Sequence, residues 1–434
     1  MRRVLMALMA FAATMPIVAQ NSGTNTPYSQ YGYGTLPDQT GGYNRGMNGV
    51  GIGLREHNQL NVTNPASYSA LDSLTFIFDA GFSGTFTSFQ ENGKRKNSKG
   101  ASFDYFLGGF RAFKHVGMSF GMLPFSKVGY NFSVTNKVEE SSSDNTTTYT
   151  NLYSGSGGLR QVFLGIGWEP FKGFSIGVNG GYLWGSSTKL VNNYYSDTSI
   201  NGLLKSYDVS VSNYKVDFGL QLSIPFSKKD IVTLGATYGL GHSLNADSKC
   251  TIYSSNSQTN VSDTASFTVK EAYKLPTMIG AGLAWNHDNR LRIGVDYTFQ
   301  KWTEVGYPEY KVIDDVPYYE LNNDYFKDRH KFNVGMEYCR NENARKFAPR
   351  IRYKLGASYT TPYYYVNGVE GPKEISVSAG VSIPIVNNWN NRSLLNISAQ
   401  WVRTDAKNLL REDVFRISVG LTFNERWFMK WKVN

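Results

Sequence analysis

Cysteine is nearly missing: Cys250 and Cys339 are the only two in 434 residues. A disulfide scaffold is therefore excluded. With only five His in the chain, no His/Cys/Asp group shows metal-ligand spacing. Asp314, Asp315 and Asp324 share one long loop and offer a chance cation contact at most. Charge is scarce at 18%, while aromatics reach 15%, an unusual balance for a soluble chain. After residue 20 no apolar run reaches the roughly 18 residues of a membrane helix. A helical inner-membrane protein is excluded, and a soluble β-protein or a β-barrel of the outer membrane remains.

The histidines assemble no catalytic pattern either. His242 and Ser243 are adjacent, so on a strand they point to opposite faces and cannot form a dyad. His115 and His287 fall in turns, His57 in the N-terminal segment and His330 near the end of a strand. None has the base-plus-orienter setting of a nucleophile. The glycine run "GMNGVGIG" places Gly49, Gly51 and Gly53 two apart. A dinucleotide loop needs G-x-G-x-x-G between a strand and a helix. Here the third glycine comes one residue early and no helix signal follows. The chain reads as a non-enzyme without a cofactor or metal.

What is present begins with MRRVLMALMAFAATMPIVAQ, two arginines, an apolar core and small residues. It reads as a signal peptide over 1–19, cut after Ala19. Its removal takes two arginines from a formal charge of +10, leaving about +8 by subtraction. The remaining basic residues scatter through the chain, whereas nucleic-acid binding needs them concentrated on one face. Outer-membrane lipid is the more natural partner of positive charge near a membrane edge.

From Leu74 onward the sequence alternates with period two. In Arg290–Trp302, Leu291, Ile293, Val295, Tyr297 and Phe299 share one face, and Arg292, Asp296, Thr298 and Gln300 the other. The same pattern recurs in Lys373–Ile385 and Val414–Phe423. Fourteen strands are predicted: 74–90, 100–113, 116–136, 144–168, 173–190, 203–226, 231–249, 263–285, 290–303, 325–339, 349–365, 373–386, 393–404 and 412–423. The glycines at 155–158 leave open a division of the fourth. Many of these runs exceed the roughly 5–6 residues usual in soluble sheets. Short turns (114–115, 169–172, 227–230, 286–289) alternate with long polar loops (192–202, 251–262, 304–324), as in outer-membrane barrels. The two later turns, 340–348 and 387–392, are longer. Trp168, Trp184, Trp285, Trp302, Tyr363–Tyr365, Trp401 and Trp427 near strand ends suit interfacial girdles. The expected fold is all-β: a transmembrane antiparallel barrel over 74–424 and a periplasmic tail over 425–434. An even strand number puts both termini on the periplasmic side. Cys250 and Cys339 fall at opposite ends of strands and are expected to stay unbridged.

A barrel of this size is too wide for wall side chains to fill. The segment 20–73, with Tyr28, Tyr31, Tyr33, Met47, Val50, Ile52 and Leu54 among glycines, is too apolar for a solvated leader. It is expected to fold back into the lumen. The run "NRGMNGVGIGLREHNQLNVTNPASYSALDSLTFIFDAG" resembles the entry of the FadL-type outer-membrane transporters of hydrophobic compounds. In that family a small-residue hatch carries an Asn-Pro-Ala element just before strand one of a fourteen-strand barrel. Asn64, Pro65 and Ala66 match it, and the resemblance covers nearly the whole mature chain. It implies hatch residues Gly49, Gly51, Gly53, Asn64, Pro65 and Ala66. It also implies a kinked third strand that opens the wall sideways. Pro124 interrupts that strand, where a barrel has no edge to receive a proline. Pro124, Phe125, Ser126 and Gly129 mark the implied opening.

The family's apolar ligand pocket does not carry over by motif. The expected lumen face holds Asp104, Lys215, Asp217, Arg292, Asp296, Lys331, Glu337, Arg350, Arg352 and Arg416, which tells against fatty acids as cargo. The expectation is an outer-membrane channel in a Gram-negative bacterium for passive uptake of small hydrophobic compounds. Exit would be lateral through strand three. The alternative is a non-enzymatic accessory, plug or shuttle barrel of a protein secretion translocon. Tyrosines in the loop 304–324 would supply its protein contact. A polar-solute porin is the third option, and a hatch argues against it.

Overall fold

The computed structural model describes residues 25–138, 147–256, 258–385, 393–407 and 409–425. The leader 1–19, Trp427, the turn 387–392 and most of the 425–434 tail lie outside them. Fourteen antiparallel strands close into a barrel. They are β1 (Phe76–Glu91), β2 (Lys94–Phe113), β3 (Val116–Pro124 and Val128–Lys137), β4 (Thr148–Phe171) and β5 (Phe174–Tyr195). β6 (Gly202–Pro225), β7 (Asp230–Gly239 and Ser248–Ser255), β8 (Ser262–Val269 and Thr277–His287) and β9 (Leu291–Lys301) follow. The last are β10 (Arg329–Cys339), β11 (Arg352–Thr360), β12 (Lys373–Ile385), β13 (Ser393–Asp405) and β14 (Arg411–Glu425). β1 closes on β14 from Phe76↔Glu425 to Gln90↔Arg411. The span expected to be one or two strands is one, β4, with Gly157 and Gly158 inside it.

Period-two alternation sets the faces, with the soluble pattern inverted. On β9, Arg292 and Asp296 are each 3% exposed, while Val295 is 46% exposed on the outside. Leu164, Leu234, Val334, Leu355, Val377 and Ile417 also face outward and are exposed. An apolar exterior with a polar lumen face is the arrangement a lipid solvent selects. The first hairpin turns in two residues, Asn92 and Gly93, both with positive φ, as tight hairpin turns require.

Several expectations change. β7 and β8 are each expected to run unbroken, but each is interrupted in its outer half. The loop 304–324 is not irregular: Tyr307–Ile313 pairs with Val316–Asn322. Trp302, Tyr363 and Tyr364 are not girdle residues. Trp302 is 1% exposed and sits in a lumen cluster with Tyr33, Phe326 and Tyr363. Aromatic rings near strand ends can point either way, and period two alone does not extend into a loop. Trp168 and Trp401 are outward and exposed. Cys250 and Cys339 are free thiols, both buried.

Candidate functional site

Residues 25–73 fill the lumen. A 3-10 turn at Pro27–Gln30, a four-residue helix at Gly42–Arg45 and a 3-10 helix at Pro65–Ala70 are its only regular elements. The last one is started by Asn64, whose Oδ1 accepts the Ala66 N–H at 3.1 Å, with Pro65 at its first turn. That is ordinary capping chemistry. The Asn64 amide nitrogen donates to Ile52 O at 2.9 Å and to Leu220 O of β6 at 3.0 Å. One side chain thus ties the helix start, the glycine run and the barrel wall together. Ala66 is fully buried.

Within the glycine run, Gly49 has φ +86°, a conformation that favours glycine. The N–H groups of Gly51 and Ile52 donate to the Asp296 carboxylate at 2.6 and 2.9 Å. A Cβ on Gly53 would lie 2.8 Å from Ala284 N. The run lies directly against β8 and β9, and the anion its N–H groups meet is the wall's own Asp296 carboxylate.

The wall answers with glycines of its own, a feature the motif reading did not single out. Gly117, Gly167, Gly177 and Gly219 stand in register across β3, β4, β5 and β6. An added Cβ on Gly117 would be 1.8 Å from Tyr68 O, and on Gly177 2.4 Å from Pro65 C. Gly235 and Gly282 pair across β7 and β8 and meet Ile52. Gly335 and Gly356 pair across β10 and β11 and meet Met47. The backbone of the segment therefore rests on a track of bare wall backbone. The legible signal was glycine recurring on the polar face of successive strands.

A buried ion network completes the seat. Glu56 of the segment forms an ion pair with Arg292, 2.5 Å from its Nε, and lies 3.6 Å from Arg352. Glu337 lies 2.9 Å from Arg292, 3.1 Å from Arg352 and 3.4 Å from Lys354. Glu342 reaches Arg352 at 3.0 Å. Lys354 also donates to Tyr43 O at 2.9 Å. Three cations meet three carboxylates, so the charges satisfy one another and present no net ligand charge. Arg45 pairs with Asp104 at 2.8 Å, and Lys331 with Asp38. Lys215 pairs with Asp217, while Arg416 donates to Gln400 at 2.8 Å. Arg350 is buried in the short 3-10 turn before β11.

Pro124 ends the first half of β3. On the β4 side the interruption is a bulge: Pro124↔Arg160 is followed by Val128↔Gly157, four steps against three. Phe125 N and Ser126 N both donate to Leu159 O, at 2.8 and 3.1 Å. On the β2 side the ladder stops at Phe106↔Met122. Among the described residues, β2 residues 94–105 pair only with β1, and Val128–Lys137 only with β4. The wall is thus parted between β2 and β3 over its outer half.

The N-terminal residues cover the freed β3 edge from inside. Thr26 N donates to Gly129 O at 2.9 Å, and Gly129 N to Ser29 Oγ at 3.0 Å. Thr35 and Lys127 exchange two bonds of 2.9 Å. Gln39 donates to Pro124 O at 2.5 Å. Asn25 reaches Ser98 of β2 at 2.9 Å, so residues 25–35 lie toward the long-loop end and the chain descends from there. Beneath this cover is a cavity of about 200 Å³ lined by Leu36, Ile52, Leu123, Phe125, Phe163 and Trp302, among others. Among the described residues no group of three His, Cys, Asp or Glu could hold a metal ion.

Solved structures share this architecture. The Pseudomonas putida toluene transporter TodX matches with a TM-score of 0.58 at 13% identity, covering 92% of this chain and 99% of that one. The Ralstonia pickettii toluene transporter TbuX gives 0.57 at 14%, covering 88% and 97%. A Pseudomonas aeruginosa FadL homologue gives 0.56 at 11%, covering 90% and 98%. At such identities the likeness is one of fold. No curated protein matches the sequence. A family model described as BamG matches residues 1–434.

Proposed function

The chain belongs to the BamG family, a family of this barrel type, and from that premise we propose a passive outer-membrane channel for small hydrophobic compounds. In this reading 20–73 is a hatch, 74–424 the barrel and 425–434 a tail. The site is the hatch residues Gly49, Gly51, Gly53, Asn64, Pro65 and Ala66 with the wall residues Pro124, Phe125, Ser126 and Gly129. One observation carries it. At the short-turn end the hatch sits backbone-on-backbone against the wall and is pinned by buried ion pairs. At β3 the wall is parted, and residues 26–39 alone cover it through a handful of hydrogen bonds. The weaker closure is the lateral one, so a solute reaching the cavity leaves sideways into the bilayer. The names of the similar structures, toluene transporters, support a hydrophobic cargo, and their barrels support an outer-membrane location. Leu36, Ile52, Leu123, Phe125 and Phe163 give a solute apolar contacts in the cavity, beside the ion pairs Lys215–Asp217 and Lys331–Asp38 that also line it.

Two deletions in the full chain test this, with toluene as the uptake probe. Removing residues 26–35 frees the β3 edge and is expected to raise uptake without ionic leak. Removing 46–61 is expected to leave the barrel folded but conducting. Uptake unchanged by the first deletion, or a barrel that unfolds or stays sealed after the second, refutes the reading.

A second reading, an accessory, plug or shuttle barrel beside a protein secretion translocon, is favoured by the hairpin at Tyr307–Asn322. It carries exposed Val312, Ile313, Val316, Tyr318 and Leu321, an aromatic and aliphatic surface suited to a protein contact. Purification from native membrane separates the two. A stable large partner lost on deleting 307–322 favours the second, and a lone barrel the first.

A further inference from the structure

The wall is interrupted at a second place, four strands around from the β2–β3 parting. β6 pairs with β7 up to Asp217↔Gly239 and resumes at Val209↔Ser248. Residues 210–216 of β6 and 240–247 of β7 lie between, all of them described, and form no ladder with each other. β8 moves with β7: Met278↔Gly239 and Val269↔Ser248 flank its own skipped stretch. Inside the detour the two limbs stay joined. His242 and Ser243 pair with Leu275 and Lys274, and Leu244 N donates to Tyr273 O at 2.8 Å. The paired limbs bend into the lumen, where Leu244, Tyr273 and Leu275 pack in the cluster around Tyr33 and Trp302.

An open ladder in a bilayer leaves backbone groups without water, and this edge is patched locally. Tyr214 N–H is taken by the neighbouring Asn213 Oδ1 at 2.8 Å. Asn213 Nδ2 reaches across to Ser243 O at only 3.4 Å. Leu240 N closes the lower end on Val216 O at 3.0 Å. On the outside, the Tyr214 ring stacks on the His242 ring at 4.1 Å and 5°. The His242 Nε2 is buried there without a hydrogen-bond partner among the described residues. Below the break, the lumen cavity and an apolar groove on the outer face share Phe218, Thr237, Tyr238, Ile279 and Gly280 as lining. Only one layer of wall separates them.

We propose that this break is a second side portal, joining the lumen cavity to the bilayer for a small lipophilic molecule, with the Tyr214–His242 stack as its outer latch. The inference rests on the channel reading given above and adds a route to it. Three features carry it. The wall has no ladder here, the cavity reaches the break at Lys215 and Pro276 with an apolar groove on the outer wall just below it, and an orphan nitrogen stands beside the stack. That nitrogen suits a passing molecule with a single hydrogen-bonding group.

The test uses the full chain in lipid bilayers with adamantyl diazirine, a small photoactivated hydrocarbon, and adduct mapping by mass spectrometry. Adducts are expected on Leu244 and Tyr273, behind the break. Tyr214→Ala should raise them about two- to tenfold, the range that loss of one aromatic pair allows. Tyr214→Phe keeps the stack and should change nothing. Adducts confined to outward residues such as Tyr238 and Ile279, in wild type and Tyr214→Ala alike, overturn the portal. Labelling of Leu123 and Phe125 without Leu244 and Tyr273 overturns it while leaving the β3 exit standing. The reverse pattern keeps the portal and removes the β3 exit.

Discussion

Methyl groups added to the glycine track should dislodge the hatch and leave the barrel intact. Gly117 and Gly177 are the best sites, because the atoms in the way are backbone. A Cβ at Gly117 meets Tyr68 O at 1.8 Å, and one at Gly177 meets Pro65 C at 2.4 Å and Ala66 N at 2.5 Å. A backbone cannot swing aside like a side-chain tip, so the 3-10 helix at Pro65–Ala70 must lift. Overpacking of this type costs about 1–3 kcal/mol per site, or about 2–6 kcal/mol for the double variant if the sites add. Lifting the helix also threatens the Asn64 bonds to Ile52 O and Leu220 O, each worth about 1 kcal/mol. At 1.4 kcal/mol per factor of ten, the hatch-open population should rise by roughly 30-fold or more. The barrel ladders bury none of these added atoms. Single-channel recording in planar bilayers gives the open fraction, and limited proteolysis within residues 46–68 gives an independent reading. Gly84→Ala and Gly180→Ala are the controls, since a Cβ at either meets nothing within 4 Å. If the Gly117→Ala/Gly177→Ala chain stays as closed and as protease-resistant as the controls, the hatch is not seated on the track.

Three further outcomes follow from the same geometry. Glu56→Gln removes one carboxylate from a buried network shared with Arg292 and Arg352. Breaking such a network costs about 3–5 kcal/mol, so thermal denaturation should show hatch protection lost well before the barrel melts; a single unchanged transition refutes this. Pro124→Val alone should not rejoin β2 and β3, because the ladder already stops at Phe106↔Met122 and residues 26–35 occupy the edge; toluene uptake reduced to background by it would contradict this placement. His57 Nδ1 donates to the Asp72 carboxylate at 2.9 Å, and that bond raises its pKa above the ordinary 6.5. The contact's contribution is therefore complete below about pH 6.5 and fades as pH rises through the folded value, so amide exchange across 57–72 should speed up on the alkaline side, and Asp72→Asn should abolish that dependence.

The strand count, the faces and the place of Asn64-Pro65-Ala66 were legible because each has a local cause. Arg292 and Val295 differ by an odd number of residues, so period two assigns them to opposite faces without knowledge of the neighbouring strands. Asn before Pro announces a capped turn for the same reason. Pro124 also spoke locally, through its missing donor. What it could not say is which neighbour is lost. The bulge on β4 and the parting from β2 depend on register, and register is a property of two strands.

The breaks in β7 and β8 show the limit more sharply. The stretch around Leu240–Asp247 has no proline, and its apolar and polar residues alternate well enough to pass as continuous strand. The detour is fixed by partners far away: Tyr33 in the hatch, Trp302 after β9, and the matching skip at 270–276. Trp302 misleads for the same reason, since a tryptophan at a strand end suits a lipid interface or a lumen cluster equally. The glycine track lies between these extremes. Each of its glycines is visible, yet singly each reads as a weak strand position. Only when pairing aligns Gly117, Gly167, Gly177 and Gly219 does their common cause appear, a second backbone passing within van der Waals reach. A barrel that spends side chains on closeness to its own plug makes that end rigid, and whatever moves must then move at the walls where ladders are missing.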